Sequence, residues 1–132
     1  MREIKFRGKR LDSGEWIFGD LEYCKATNVA RIHTYDEKGA YVCQHEVNPS
    51  TVGQFTLLKD KNMTEIYEGD ILECPKVPTI PLEVYYNSEK GLFCLAEHTH
   101  TVGVFYGTTY IGEMLKLYPD MRIIGNIHDK ND

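Results

Sequence analysis

The amino-acid sequence predicts a mainly β fold of short antiparallel strands and hairpins, with one short helix. Apolar and charged residues alternate with the period of a β-strand, for example over residues 4–10. Clusters of Asp, Asn, Ser and Gly separate such segments at short intervals, as tight turns require. Apolar residues at helical spacing occur near residues 109–118. This combination predicts a β-rich α+β protein whose C-terminal part forms a partly open β-barrel.

Two hairpins are predicted in the N-terminal part of the chain. Their turns are residues 11–15 and 36–39, which are rich in Asp, Glu and Gly. Residues 51–60 leave two interpretations open, a short turn of helix or an irregular buried connection. The four strands are residues 4–10, the run that begins at Trp16, residues 29–35 and residues 40–47.

Turn signals continue in the C-terminal part. Residues 59–62 and 68–70 are polar turns, and Gly69 is expected to adopt a backbone conformation that other residues resist. Three prolines within residues 75–81 predict a surface loop or an irregular edge. Residues 87–91 connect the clearest hairpin. The predicted strands are residues 65–67, 71–74, 83–86, 92–96 and 121–127.

The single predicted helix precedes Pro119 and is capped by Thr108 or Thr109. Its apolar stripe is Ile111, Met114, Leu115 and Tyr118. We expect residues 129–132 to fray. The predicted organisation is an N-terminal β subdomain, residues 1–57, packed with a C-terminal barrel-like subdomain, residues 58–132.

Composition excludes several classes of protein. The longest apolar runs, such as residues 92–96, are far shorter than the ~20 residues of a membrane span. No signal peptide follows the charged N-terminus, so a cytoplasmic protein is expected. Four widely spaced cysteines without a Cys-x-x-Cys pair predict free thiols. A formal net charge of −5 does not favour binding to nucleic acid.

Three segments carry a pattern that identifies a family. They are Phe6-Arg-Gly-Lys-Arg-Leu-Asp-Ser-Gly-Glu-Trp16, Phe55-Thr-Leu-Leu-Lys-Asp-Lys-Asn-Met-Thr-Glu-Ile-Tyr-Glu-Gly-Asp-Ile71 and Ile123-Ile-Gly-Asn-Ile127. On these segments the chain resembles the YopX family of small bacteriophage and prophage proteins. The resemblance implies a predominantly β structure without an established activity, and it offers no catalytic residue to transfer. Residues 22–46 and 75–119 carry no such pattern.

The residues carried over by the resemblance are structural. Two positions depart from the family pattern, because Met63 and Leu57 stand where members usually have glycine. The familiar Asn-Gly turn is therefore absent. The matching positions are Phe6, Gly8, Trp16, Gly53, Phe55, Asp60, Tyr67, Gly69, Asp70, Gly125 and Asn126.

Cys94, His98 and His100 are the candidate metal ligands. Their even spacing would place all three on one face of a continuous strand, with ligand types that zinc accepts. A tetrahedral site would need a fourth ligand, for which Cys74, Glu97 and His45 are the candidates, or a water. Solvated loop histidines are the preferred interpretation, and no cofactor is predicted.

Two other clusters are weighed against simpler interpretations. Cys43 and His45 are two residues apart and could form a thiolate–imidazole pair, but no third residue is evident to orient the base. The acidic residues around Gly69 lack the spacing of a calcium loop. Turn chemistry explains them better, with Asp70 capping backbone amides.

The first predicted strand and its neighbour suggest one further site. Arg7, Lys9 and Arg10 lie in a basic segment, and Trp16 follows on the adjacent strand. Basic and aromatic side chains together suit single-stranded nucleic acid. A solvated strand face with Trp16 in the core is the competing interpretation.

These observations rank three functions. The first is a non-enzymatic protein-interaction module that self-associates as a homo-oligomer and has a host or phage protein as a possible partner. The second is an accessory nucleic-acid-binding module that uses Arg7, Lys9, Arg10 and Trp16. The third is a metal-dependent enzyme.

Overall fold

All three predicted hairpins form in the computed structural model, which describes residues 1–97 and 109–129. Of residues 77–80, 97 and 109 only the backbone is described. Within these ranges the chain consists of two antiparallel sheets with a single short α-helix, and strands far outnumber helical residues. The predicted mainly β fold class is therefore confirmed.

The first of two compact units, Met1–Phe55, is built from hairpins in sequence order. The strand order is β4-β3-β2-β1-β5, and β5 (Gly53–Lys59) pairs with β1 through its first two residues. All these pairings are antiparallel. The first four strands are β1 (Phe6–Lys9), β2 (Trp16–Cys24), β3 (Val29–Tyr35) and β4 (Tyr41–Val47).

The sheet of the first unit curls so that the end of β4 meets the end of β1. Arg10 forms a β-bridge with Val47, and the backbone N–H of Leu11 donates to the carbonyl of Glu46 at 3.1 Å. Gly8 permits this approach, because a Cβ at Gly8 would lie 2.8 Å from Val47 Cγ2. The curl encloses a small core of Ala30, Ile32 and Val47, with Phe6, Ile17, Leu21 and Val52 packed against it.

The segment left open by the sequence is mostly a strand. A short 3₁₀ helix, Pro49–Thr51, begins after Asn48, whose side-chain oxygen accepts from Ser50 N at 3.1 Å. β5 follows directly and runs to Lys59. Of residues 51–60, for which a turn of helix was one interpretation, only Thr51 is helical. The first half of β5 is the buried part, with Phe55 4% and Thr56 6% exposed.

The second unit, Thr56–Asp132, contains a five-stranded antiparallel sheet of order β10-β9-β8-β7-β11. The unit boundary lies two residues before the division predicted after residue 57. The sheet is open among the described residues, with β10 and β11 at its edges, and no closed barrel occurs there. The elements are β6 (Glu65–Tyr67), β7 (Asp70–Cys74), β8 (Val77–Asn87), β9 (Leu92–Glu97), β10 (Thr109–Tyr110), α1 (Ile111–Leu117) and β11 (Arg122–Asn126).

The core of the second unit is larger than that of the first. Side chains from four strands, from helix α1 and from the residue before β11 contribute to it. Leu58, Leu82, Phe93, Met114, Leu115, Tyr118 and Ile123 are partly buried against it. The buried members are Ile66, Leu72, Cys74, Val84, Leu95, Ile111 and Met121.

The proline-containing segment is not the predicted surface loop. Strand β8 begins at Val77 and includes Pro78 and Pro81. Across β7 and β8, Leu72 pairs with Leu82 and Cys74 pairs with Val77, so the register shifts between the two pairs. Proline lacks an N–H to donate, and strands accept it where the ladder is irregular. The prediction of a loop was wrong for Pro78 and Pro81, because this register shift accommodates them within the strand, whereas Pro75 lies in the turn before it.

Helix α1 confirms the predicted helix but not its cap. The N-cap is Tyr110, whose side chain makes no capping hydrogen bond. Thr109 pairs with Leu95 in β10, and Thr108 lies outside the described residues. The Thr109 cap was wrong because the strand leads directly into the helix. The helix ends before Pro119, with Tyr118 N donating to the carbonyl of Met114 at 2.8 Å.

The C-terminal strand, β11, is shorter than predicted. Asp129 follows it and is held in place, since its carboxylate accepts from the backbone N–H and the side-chain amide of Asn126, each at 2.9 Å. Fraying was therefore wrong for Asp129, and residues 130–132 lie outside the described part. No helix in the described ranges is long and apolar enough to cross a membrane.

Candidate functional site

The largest group of predicted site residues lies on one face of the first unit. This outer face is the side of β1–β4 opposite the core of Ala30, Ile32 and Val47. Alternation along each strand and the cross-strand register place its residues together. Its side chains include Arg7, Lys9, Trp16, Phe18, Asp20, Glu22, Arg31, His33, Tyr35, Tyr41 and Glu46.

Arg7, Lys9 and Trp16 come together on the outer face, as the sequence predicts for adjacent strands. The guanidinium carbon of Arg7 lies 4.4 Å from the Trp16 ring centroid, and Lys9 Nζ lies 5.3 Å from it. These distances are typical of cation–π contacts. Arg7 is only 7% exposed. Its guanidinium is therefore committed to packing inside the protein.

Arg10, the fourth predicted nucleic-acid residue, is separate from this group. It belongs to the opposite face of β1 and pairs with Asp12, with Nη2 2.7 Å from Oδ2 and Nε 2.9 Å from Oδ1. This hydrogen-bonded pair raises the pKa of Arg10 and lowers that of Asp12. The structure thus brings together three of the four predicted basic and aromatic residues.

Aromatic side chains form a row on the outer face next to Arg7, because the register that pairs Asp20 with His33, continued by two residues, aligns Phe18 with Tyr35. Phe18 is opposite Arg7, and the ring centroids of Tyr35 and Tyr41 are 5.8 Å apart in an edge-to-face arrangement. The exposed fractions are 46% for Phe18, 48% for Tyr35 and 55% for Tyr41. Sequence reasoning did not identify the two tyrosines. The signal was the hairpin register, which pairs Tyr35 with Tyr41 across the turn.

Acidic groups flank the aromatic row on the same face. Glu22 Oε1 lies 2.8 Å from His33 Nε2, and Glu22 Oε2 accepts from Arg31 at 3.1 Å. The hydrogen bond with His33, followed by the charge of Arg31, lowers the pKa of Glu22. Burial raises the pKa of Tyr35, and the charge of nearby Asp20 adds to this effect. The outer face therefore carries Arg7 and Lys9 on β1 and Asp20 and Glu22 on β2, with Arg31 of β3 paired to Glu22.

The predicted metal ligands do not form a site in the described part of the chain. Cys94 is fully buried, and burial raises the pKa of its thiol, which opposes the thiolate that a metal needs. His98 and His100 lie outside the described residues, and only the backbone of Glu97 is described. Cys74 belongs to the core of the second unit, whereas His45 belongs to the first unit. No group of three potential ligands occurs among the described side chains.

Cys43 and His45, the candidate thiolate–imidazole pair, are in contact in the structure. Cys43 Sγ lies 3.4 Å from His45 Nε2 and 3.2 Å from the hydroxyl oxygen of Thr34. All three side chains are half-buried. Thr34 was not identified from the sequence. The same hairpin register that pairs the tyrosines places Thr34 opposite Cys43.

The acidic residues around Gly69 have structural roles. Asp70 is 2% exposed and accepts from Tyr67 N at 2.8 Å, as the turn chemistry predicts. Gly69 has φ +89°, in the region that favours glycine, so the expected conformation is confirmed. Glu73 pairs with Arg122 at 2.7 Å. These contacts organise the turn between β6 and β7 and the pairing of β7 with β11.

Other residues carried over from the family also support turns. Asp60 is 5% exposed, and its carboxylate accepts from Asn62 N and Thr64 N at 2.9 Å and from Ile123 N at 3.0 Å. Asn126 accepts from His128 N at 2.8 Å. The remaining members lie in strands: Phe6, Gly8, Trp16, Gly53, Phe55, Tyr67 and Gly125.

A groove of about 460 Å³ lies in the first unit, away from the aromatic row. Tyr23 and Asn28 lie on its wall and hydrogen-bond to each other at 2.8 Å. The remaining wall is mainly apolar. It consists of Leu21, Pro49, Ser50 and Val52. The groove does not include any of the predicted site residues.

Comparison with known proteins identifies the family. No curated protein matches the chain. The family described as YopX protein matches residues 5–132, which is nearly the whole chain. The match includes residues 22–46 and 75–119, where the sequence by itself showed no family pattern. The chain therefore belongs to the YopX family.

Proposed function

We propose that this chain is a non-enzymatic protein-interaction module that self-associates through the outer face of its first unit. The row of half-exposed aromatic side chains carries this proposal. Aromatic residues are enriched at protein interfaces, whereas a monomer normally exposes large apolar side chains singly. Phe18, Tyr35 and Tyr41 instead lie in one row, next to the Arg7–Trp16 stack.

A second copy of the chain is the occupant that the charges favour. On β1 and β2, Lys9 lies opposite Trp16 at one end of the outer face, and Glu22 lies near the other end of β2. A two-fold axis through the aromatic row would place the basic end of each copy over the acidic end of its partner. Such an isologous interface is self-complementary. A two-fold homodimer would therefore bury the aromatic row and bring charges of opposite sign together.

The cellular setting follows from the family resemblance. Proteins of this kind are expected in bacteriophages and prophages, so we propose action in the cytoplasm of a bacterial host. A phage or host protein is then a possible further partner. That protein would bind the same outer face and would compete with self-association.

Sedimentation velocity over a range of protein concentrations tests the proposal. Tyr41→Ser should weaken the dimer at least about tenfold, because an aromatic side chain in the centre of an interface commonly contributes more than about 1.4 kcal/mol. Tyr86→Ser is the matched control, since Tyr86 is 48% exposed and packs edge-to-face on Phe93 at 5.2 Å. It should leave the dimer unchanged. A wild-type protein that stays monomeric at about 100 μM, a weak-binding concentration, contradicts the proposal.

Nucleic-acid binding is the alternative, and the cluster of Arg7, Lys9 and Trp16 favours it. Two observations weigh against it. Arg7 and Lys9 already contact the Trp16 ring that a base would need, and Asp20 and Glu22 on the same face repel phosphates. Light scattering with a short single-stranded DNA distinguishes the two functions. Nucleic-acid binding predicts a mass increase that salt abolishes and that Lys9→Gln weakens.

A metal-dependent enzyme using Cys94, His98 and His100 is the third candidate. The buried thiol of Cys94 weighs against it. Metal analysis of protein purified without a metal-affinity tag tests this candidate directly. A stoichiometric metal that is lost in Cys94→Ser would place it first.

A further inference from the structure

Cys43, His45 and Thr34 form a compact polar cluster on the inner side of the β3–β4 hairpin. Cys43 is opposite Thr34 and His45 is opposite Ile32, so the cluster rests on regular cross-strand pairing. The sulfur lies 3.4 Å from His45 Nε2 and 3.2 Å from Thr34 Oγ1. The three residues are half-buried, so the cluster lies at a partly exposed position. A nucleophile and a base are therefore adjacent at this position.

The hydrogen bonds of this cluster can follow a change in the charge of the sulfur. With a neutral thiol, the Thr34 hydroxyl donates to the Cys43 carbonyl, 3.1 Å away, and can accept from the thiol. When His45 takes the thiol proton, the same hydroxyl can rotate and donate to the sulfur anion. Both charge states therefore have hydrogen-bond partners, and the anion gains one from Thr34 and one from the protonated imidazole.

One charged side chain, Arg10, interacts electrostatically with Cys43. The pKa of Arg10 is raised mainly by its hydrogen bond with Asp12, and smaller contributions include the charge of Cys43. Arg10 is therefore within electrostatic reach of the sulfur. The residues opposite the pair on β3, Ile32 and Thr34, carry no charge. The surroundings of the sulfur thus supply a cation and a base.

The other three cysteines differ from Cys43. Cys74 and Cys94 are 3% and 0% exposed. Cys24 is exposed, and hydrogen bonds with Thr27 lower its pKa. Two cysteines are therefore at least partly exposed in the folded chain, and of these Cys43 has an imidazole within hydrogen-bond distance.

We propose that Cys43 is a nucleophilic thiol, activated by His45, that undergoes thiol–disulfide exchange with low-molecular-weight disulfides. His45 Nε2 removes the thiol proton, and the Cys43 sulfur attacks one sulfur of the disulfide. A new S–S bond forms as the old one breaks, and the released thiolate takes the proton from His45. One thiol and one disulfide are consumed and one of each is formed, so no further oxidant is needed. The product is a reversible mixed disulfide at Cys43.

The rate of reaction with 4,4′-dithiodipyridine tests this proposal. The full chain with Cys24→Ser removes the competing exposed thiol, and N-acetylcysteine provides a free-thiol standard. At about pH 7 an isolated thiol is only a few per cent ionised, so an activated thiol should react about tenfold faster than the standard. The excess should persist down to about pH 6, where the standard is almost fully protonated.

Two further substitutions separate activation from simple exposure. His45→Gln in the Cys24→Ser chain should lower the rate at neutral pH about tenfold and give the pH profile of the standard. Thr34→Val should lower it less, because it removes one hydrogen bond and leaves the base. The number of thiols that react shows whether each variant is folded, since unfolding would make Cys74 and Cys94 reactive as well.

Several results would each overturn the proposal of an activated thiol at Cys43. A Cys24→Ser chain whose thiol reacts no faster than the standard, with the same pH profile, overturns the proposal. An unchanged rate after His45→Gln also overturns it. Peptide mapping must place the mixed disulfide on Cys43, and labelling of Cys74 or Cys94 in the folded chain would contradict the assignment.

Discussion

Three described residues other than glycine adopt a backbone conformation that normally favours glycine. Asn28 has φ +52°, Met63 has φ +64° and Leu57 has φ +74°. Met63 and Leu57 are the two positions at which the family resemblance led us to expect glycine. Met63 closes the turn between β5 and β6, where Met63 N donates to the carbonyl of Asp60 at 3.0 Å. A turn of this kind places its last residue in the left-handed region.

Met63→Gly should therefore stabilise the protein. The left-handed conformation costs a residue with a Cβ about 1–2 kcal/mol, and glycine loses about 0.5–1 kcal/mol more chain entropy on folding. The expected net gain is about 0.5–1 kcal/mol in the free energy of unfolding, measured by urea denaturation. Met63 is 69% exposed, so little packing is lost.

Met63→Ala is the control for this substitution, because it removes the side chain but keeps the Cβ. It should change the stability by less than about 0.5 kcal/mol. Leu57→Gly should act in the same direction as Met63→Gly. A glycine variant less stable than the alanine variant at residue 63 would show that backbone conformation does not limit stability there.

Glu22 makes the stability of the first unit depend on pH in the acidic range. Its pKa is lowered by the hydrogen bond with His33 and by Arg31, so it lies below the pKa in the unfolded chain. The stabilisation is therefore present above the unfolded value of about 4.3 and is lost as pH falls through the folded value.

Glu22→Gln should consequently reduce the slope of stability against pH below about pH 5. Urea denaturation at a series of pH values measures this slope for both proteins. Glu37→Gln, at an exposed position of the β3–β4 turn, is a suitable control for general loss of negative charge. Equal slopes for Glu22→Gln and the wild type would contradict a native-state interaction at Glu22.

At the scale of elements, Asp60 joins the β5–β6 turn to β11. Its carboxylate accepts from two backbone N–H groups of the turn and from Ile123 N at the start of β11. Lys61 N adds a hydrogen bond to the carbonyl of Met121 at 3.1 Å. One buried side chain therefore holds together residues that are far apart in sequence.

Asp60→Ala should lower the free energy of unfolding by about 3 kcal/mol, because three backbone donors lose a charged acceptor. Asp60→Asn should cost about half as much, since its single amide oxygen can keep part of the network. Denaturant unfolding gives both values. Asp120→Ala, at an exposed position near the same strand, should stay within about 0.5 kcal/mol of the wild type. A similar loss for Asp60→Ala and Asp120→Ala would refute this role.

The whole molecule contains two cores of unequal size. Seven buried residues form the core cluster of the second unit and three form that of the first, among the described side chains. Burying one Val- or Leu-sized side chain contributes about 1.5–3 kcal/mol. The second unit should therefore resist local unfolding more strongly than the first.

Native-state hydrogen exchange followed by mass spectrometry tests this difference. Peptides from β7 and β8 should exchange at least about tenfold more slowly than peptides from β3 and β4, since tenfold corresponds to only about 1.4 kcal/mol. Equal protection in the two units would mean that they open together. Slower exchange in β3 and β4 would contradict the argument from core size.

The sequence by itself determined the fold class, the three hairpins, the single helix and the family, because turn residues and short-range periodicity are properties of neighbouring residues. Tertiary structure decided which side chains meet. Strand register placed Tyr35 beside Tyr41 and Thr34 beside Cys43, and a register shift admitted prolines into β8. Period-two alternation shows which residues share a face of one strand, but the neighbours on the next strand depend on register. For that reason the aromatic row, and the contact of Thr34 with the Cys43–His45 pair named from the sequence, required the folded chain.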